Sequence, residues 1–157
     1  MSKMMNAVQC EKFGGPEELK FTRAQIPTPG PGQVLIKNAY AGLNFKDTLT
    51  RTGAYHAGNP ELPFIPGIEA SGRVVALGDG VTEVKVGQWV AYMTATLSSK
   101  KNDCYAEYTT ADIKCVVGVP DDVDDASACC AMVQGLTAHY LTHDSYPVSK
   151  GKTPKTT

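Results

Sequence analysis

Ala41-Gly42-Leu43-Asn44-Phe45-Lys46-Asp47 and, further along, Ile65-Pro66-Gly67-Ile68-Glu69-Ala70-Ser71-Gly72-Arg73-Val74-Val75 are the two stretches on which the reading of this chain turns. The first closes an apolar run of strand length, residues 34–41, that reads as a buried strand. It then predicts a short helix over 44–51: Asn44 is a favoured cap, Asp47 falls in the first turn and Gly53 supplies the stop. The second stretch opens a strand over 69–77, turned by Gly78-Asp79-Gly80. Between helix and strand, residues 52–66 carry Gly53, Gly58, Pro60, Pro63 and Pro66. They read as a long loop, of the kind that is more often functional than incidental.

Outward from this centre the pattern is strand after short strand. Residues 5–13 and 19–24 flank Gly14-Gly15-Pro16, and Pro27, Pro29, Gly30, Pro31 and Gly32 make a stiff connection into the strand at 34–41. Residues 84–91, 104–110 and 115–119 supply the last strands. Pro120-Asp121-Asp122 opens a helical region over 123–133, and Gln134-Gly135 opens a second to about His143. The expected class is mainly β, a partly open barrel with short helices at its C-terminal end; the 15 Gly and 10 Pro are the turns such a barrel needs.

Composition bounds the function. At 157 residues the chain fits one domain, with 42% hydrophobic and 20% charged residues, as in an ordinary globule. A net charge of −1 with interspersed signs leaves no basic stripe for phosphates and argues against nucleic-acid binding. No stretch has the length of a membrane span or a signal peptide. The five cysteines form an odd set without Cys-x-x-Cys, which suits reduced thiols and a cytoplasmic location.

The two opening stretches together resemble the front half of a medium-chain dehydrogenase/reductase. Residues 14–17 (Gly-Gly-Pro-Glu), 51–55 (Arg-Thr-Gly-Ala-Tyr) and 135–138 (Gly-Leu-Thr-Ala) are phrases of the same family, and 84–91 resembles its Lys-x-Gly-Asp-Arg-Val phrase with Gln88 and Trp89 as departures. Where the zinc enzymes carry a Cys ligand this chain has Asn44, and the His of their Gly-His-Glu is Ile68. Neither side chain replaces a thiolate or an imidazole. The stretch 94–112 holds Cys104 alone where relatives place four cysteines for a structural zinc. The resemblance therefore points to the zinc-free branch, the zeta-crystallin-like NADPH:quinone oxidoreductases, with a GroES-like barrel and no metal.

That resemblance implies hydride transfer from NADPH to a quinone or conjugated carbonyl in a full-length parent. This chain would give the substrate-side domain: barrel at 1–120, helices at 121–149 leading to a nucleotide-binding domain, and a polar tail at 150–157. The Gly-rich turn that seats a pyrophosphate is missing, since Gly78-Asp79-Gly80 lacks a third glycine and a helix start. The fragment alone is accordingly expected to be inactive and to bind NADPH poorly, with the parent dimerising through the absent domain. An enoyl-thioester reductase of the same superfamily and a free-standing binding or assembly module are the alternatives.

Site residues follow from the same resemblance. Asn44 and Thr137 would contact the cofactor, and Tyr55 would stack on or hydrogen-bond the nicotinamide or the quinone as the catalytic-site phenol. Glu69, lacking a metal, is expected to pair with Arg51 or Lys46, and Asp47 to act as a helix-start acid. His139 and His143, spaced i, i+4, lack a third ligand and read as surface residues; Cys129-Cys130 reads as a buried small pair. The helices are expected to expose Ala128, Ala131, Met132, Val133, Leu136 and Leu141.

Overall fold

The computed structural model describes residues 3–94 and 103–151. Among the described residues seven strands form two antiparallel sheets. A hairpin pairs β1 (Met4–Gln9) with β2 (Lys20–Gln25). The five others run in the order β6-β3-β4-β5-β7, with β3 at Gln33–Ala41, β4 at Glu69–Leu77, β5 at Trp89–Met93, β6 at Tyr108–Asp112 and β7 at Val116–Gly118. Register shifts between Leu35 and Ile36 and between Asn38 and Tyr40 add local twist to β3, as bulges do. Isolated bridges join Ala7 to Ala106, just before β6, and Cys10 to Phe64, in the loop before β4. The architecture is the mainly β, partly open barrel expected.

Valine and isoleucine dominate the enclosed core: Val34, Ile36, Val74, Val81, Val84 and Val90 pack with Ala70, Tyr92, Cys104 and Ala111. β-Branched side chains suit a pleated surface buried against neighbours. On β4 successive residues face opposite ways, so Ala70 enters this core while Glu69 and Ser71 look to the other side. There the C-terminal helices lie. Ser71 Oγ donates to Asp125 O at 2.6 Å, and Ala128 and Met132 pack against Ala91 and Val119.

The helices differ from expectation in two respects. The segment is continuous rather than broken at Gln134-Gly135: α2 (Asp125–Cys130) runs through a π turn (Ala131–Gly135) into α3 (Leu136–Tyr140) and a second π turn (Leu141–Ser145). Gly135 keeps right-handed helical dihedrals, so it does not end the rod. Its start is set by Asp124, whose carboxylate accepts from the amides of Ala126 and Ser127. The predicted exposed apolar surface is also smaller: Ala128 and Met132 are buried, and exposure of large apolar residues on this rod begins at Leu136. The vicinal cysteines divide likewise, with Cys129 buried and Cys130 exposed.

Among the described residues no helix is long and apolar enough to cross a membrane. The polar tail beyond Gly151, and part of the 94–112 stretch discussed for a structural zinc, lie outside the described residues.

Candidate functional site

The site begins where β3 ends. Helix α1 (Phe45–Thr52) starts at Asn44, which has extended dihedrals and whose carbonyl accepts the Asp47 amide at 3.0 Å. It stops at Gly53, whose φ of 76° is the left-handed conformation that glycine adopts freely. Asp47 returns a bond, its Oδ2 accepting the Asn44 amide at 2.9 Å. This is the helix-start acid expected, with an addition: the same oxygen accepts from the Tyr105 hydroxyl at 3.0 Å. Burial pushes the Asp47 carboxyl up from its ordinary value, against hydrogen bonds from Asn44, Tyr105 and Gly67 and the charge of Lys46. Burial likewise dominates the upward shift of the Tyr105 phenol, with Asp47 adding to it, so Tyr105 is a neutral donor at physiological pH.

Asn44 and Glu69 meet. Asn44 is buried, and its Nδ2 donates to Glu69 Oε1 at 2.8 Å. Glu69 is fully buried, and its Oε2 accepts the backbone N–H of Val133, in the first π turn, at 2.7 Å. The expected ion pair with Arg51 or Lys46 is therefore not formed. Each carboxylate oxygen instead accepts from one neutral N–H donor, because β4 turns Glu69 toward the C-terminal rod. Gly42 closes the third side: its N–H donates to the Glu69 carbonyl at 3.0 Å, and a Cβ there would lie 2.7 Å from Glu69 Cδ. Any larger residue at position 42 would displace the carboxylate.

Tyr55 is half-buried just after α1, in the long loop. The loop is pinned by Asn59, whose Oδ1 accepts the Tyr55 amide (3.3 Å) and whose Nδ2 donates to Gly53 O (2.7 Å). Lys46 Nζ sits 5.0 Å from the Tyr55 ring centroid, within cation–π range. Desolvation lowers the Lys46 pKa, partly opposed by Asp47. Thr137 is exposed on α3, one helical turn beyond Val133. The structure thus joins Asn44 to Glu69 and to the base of the rod that carries Thr137, while Tyr55 stands beside Lys46.

Lys46 over Tyr55, the Val133 N–H and Tyr105 were missed by sequence reasoning. Lys46 had a local signal, lying between two singled-out residues; the other two are joined only by the fold. His139 and His143 are exposed with rings stacked 4.2 Å apart, as surface residues. Among the described residues no group of three or more His, Cys, Asp or Glu could hold a metal ion. At Asn44 and Glu69 the groups present are a primary amide and a carboxylate, with Ile68 beside them, which is not a zinc-ligand set.

Comparison with known proteins bears on the family and the fold. The alcohol dehydrogenase GroES-like domain matches residues 30–152. A probable quinone oxidoreductase of Schizosaccharomyces pombe is 43% identical over 147 residues, which is 93% of this chain and 42% of that protein. The crystal structure of a Pseudomonas syringae quinone oxidoreductase superposes with a TM-score of 0.86 at 37% identity, covering 94% of this chain and 43% of that one. Escherichia coli quinone oxidoreductase complexed with NADPH superposes with a TM-score of 0.84 at 28% identity, covering 92% and 42%. The chain thus spans less than half the length of these relatives.

Proposed function

This chain belongs to the alcohol dehydrogenase GroES-like domain family, within the medium-chain oxidoreductases, and from that premise we propose that it is the substrate-side domain of an NADPH-dependent, zinc-independent quinone oxidoreductase. The barrel at 1–120 would form one wall of the cleft, and the rod at 121–149 would lead to a nucleotide-binding domain. Leu136, Tyr140, Leu141 and Tyr146, exposed on that rod, are the apolar surface such a domain would cover. Five free cysteines support a reducing, cytoplasmic setting.

The observation that carries the reading is the buried Asn44–Glu69 pair. Where zinc relatives place a thiolate and an imidazole, this chain has Asn44 and Ile68, and the Asn44 amide is oriented by the neighbouring Glu69 carboxylate, each of whose oxygens accepts from a neutral N–H donor. Such an amide suits hydroxyl recognition. When bound, NADPH supplies the hydride; the protein positions and desolvates the partners. Asn44 would hold a ribose hydroxyl, and the Thr137 hydroxyl would meet the cofactor from the rod. Tyr55, held by Asn59 and faced by Lys46, would offer the acceptor a flat ring and a neutral phenol donor. Lys46 would place positive charge near the oxygen that gains electron density as hydride arrives.

The test joins this chain to the C-terminal half of the Pseudomonas syringae enzyme and follows NADPH oxidation. Turnover with quinones is expected. Asn44→Ala should weaken NADPH binding roughly two- to tenfold, the loss of about one hydrogen bond, and Thr137→Ala should do so less. Turnover with enoyl-CoA but not with quinones would move the assignment to an enoyl-thioester reductase. Unchanged NADPH affinity in both variants would remove these residues from the cofactor site.

A further inference from the structure

Among the described residues Glu69 forms no ion pair, and its two oxygens accept from N–H groups of Asn44, at the start of α1, and Val133, on the C-terminal rod. Asn44 Nδ2 is the donor to Glu69 Oε1, so the Asn44 side chain turns its NH2 toward Glu69. In a planar amide this leaves the carbonyl Oδ1 turned away from the carboxylate, on the side of the Asp47 backbone N–H with which Asn44 forms the capping box of α1, and an amide oxygen has a second lone pair to offer. The second bond runs to Val133, inside the π turn at Ala131–Gly135. Single π turns of this kind within helices are often found at functional sites. Thr137 lies four residues further on, on the same face of the rod as Val133. Glycine at position 42 leaves the carboxylate room that a Cβ there would take.

We propose that Glu69 is a positioning residue that fixes the polarity of the Asn44 amide and the seat of the Thr137-bearing rod together. Asn44 thereby offers a hydrogen-bond acceptor to its ligand, and the group it recognises is a hydroxyl. The proposal deepens the reading of Asn44 as a cofactor contact and rests on it for the identity of the ligand; the Glu69 bridge itself is tested without any ligand. The bridge is asymmetric in a useful way. Glutamine at position 69 puts an NH2 in place of one of the two oxygens, so the two N–H donors, which bond different oxygens in Glu69, no longer each face an acceptor. If its oxygen stays with Val133, its NH2 faces the Asn44 NH2, and the Asn44 amide must flip.

The experiment uses the 157-residue chain, with NMR of the Asn44 side-chain NH2 and the Val133 amide and with thermal unfolding. Glu69→Gln should shift both sets of signals and lower the melting temperature by roughly 5–10 °C. Adding Asn44→Asp supplies a carboxylate that accepts from the introduced glutamine NH2, so the double variant should recover most of the loss. Asn44→Ala alone, which frees one Glu69 oxygen, should speed hydrogen exchange at Val133 severalfold. Additive losses in the double variant, or Asn44 signals unmoved by Glu69→Gln, overturn the proposal. If Glu69→Gln fails to fold, a folded double variant supports the bridge and an unfolded one overturns it. In the joined enzyme described above, Glu69→Gln should raise KM for NADPH with a smaller change in kcat. If the bridge is seen in the chain but KM does not move, the hydroxyl assignment falls while the bridge stands.

Discussion

Replacing Tyr92 by phenylalanine deletes one oxygen atom from the middle of the barrel. That hydroxyl donates to Asn38 Oδ1 at 2.6 Å, and Asn38 Nδ2 donates in turn to Ala106 O (2.8 Å) and Thr109 Oγ1 (3.0 Å). Thr109 continues the chain by donating to Asp103 O at 2.8 Å. Tyr92 is fully buried, and burial holds its phenol well above its ordinary value, so it is a neutral donor at any working pH. A neutral hydrogen bond contributes about 0.5–1.5 kcal/mol, and a stranded buried partner costs about 1–3 kcal/mol. Asn38 is half-buried and lines a groove of about 400 Å³, so water can reach its freed oxygen. Tyr92→Phe should therefore cost near the low end, about 1 kcal/mol. Asn38→Ala removes the acceptor of the Tyr92 hydroxyl, which keeps Thr109 and Cys104 beside it, and releases the segment that carries Tyr105, for about 1–3 kcal/mol. Removing both groups leaves neither stranded, and the double variant should lose about 1 kcal/mol less than the sum. Urea titrations of this chain, followed by Trp89 fluorescence and far-ultraviolet circular dichroism, give all three values. Costs that add to within about 0.3–0.5 kcal/mol would refute the argument that hydroxyl and amide act as one unit.

Asp47→Asn tests the buried carboxyl. Its folded-state pKa is raised, so the folded chain binds this proton more tightly than the unfolded one, and stability is lost as pH rises from the ordinary aspartate value through the folded one. The amide oxygen can still accept the bonds from Asn44 and Tyr105, so the variant should gain on the wild-type chain across that window and hold the gain at neutral pH. Parallel pH dependences in thermal unfolding would show that Asp47 carries no such penalty. A thiol titration separates the cysteines: Cys130 is exposed and Cys115 half-buried, whereas Cys10, Cys104 and Cys129 are buried. Burial, with Glu69 and Cys130 nearby, pushes Cys129 up to about 12. The native chain should react rapidly at Cys130, slowly at Cys115, and at all five thiols only in denaturant. Rapid reaction of a third thiol would mean that the C-terminal rod does not stay docked on the sheet.

The sequence by itself determined the elements whose causes are local. The helix at Phe45–Thr52 follows from a capping residue, a first-turn acid and a left-handed glycine, all within ten positions. The strand at Glu69–Leu77 was legible to its ends, because an apolar run and a Gly-Asp-Gly turn bound it. The class of barrel could also be read from the pattern of short strands and turns, and the family resemblance implied that Asn44 and Ile68 stand where zinc relatives carry ligands. The helical rod was misread as two pieces, because a glycine costs only about 1 kcal/mol inside a helix and packing of Ala128 and Met132 on the sheet outweighs it. Tertiary structure alone decided the partners of the buried polar groups. Glu69 looked like half of an ion pair, since the sequence shows charges but not which face of β4 meets which helix. Only the register of β4 against β5, which turns Glu69 and Ser71 toward the rod, brings the Val133 amide to within 2.7 Å of its carboxylate. Tyr105, 58 residues from Asp47, is joined to it by the same cause. Chain-local rules set where helices and strands begin, and long-range packing sets what each buried side chain touches.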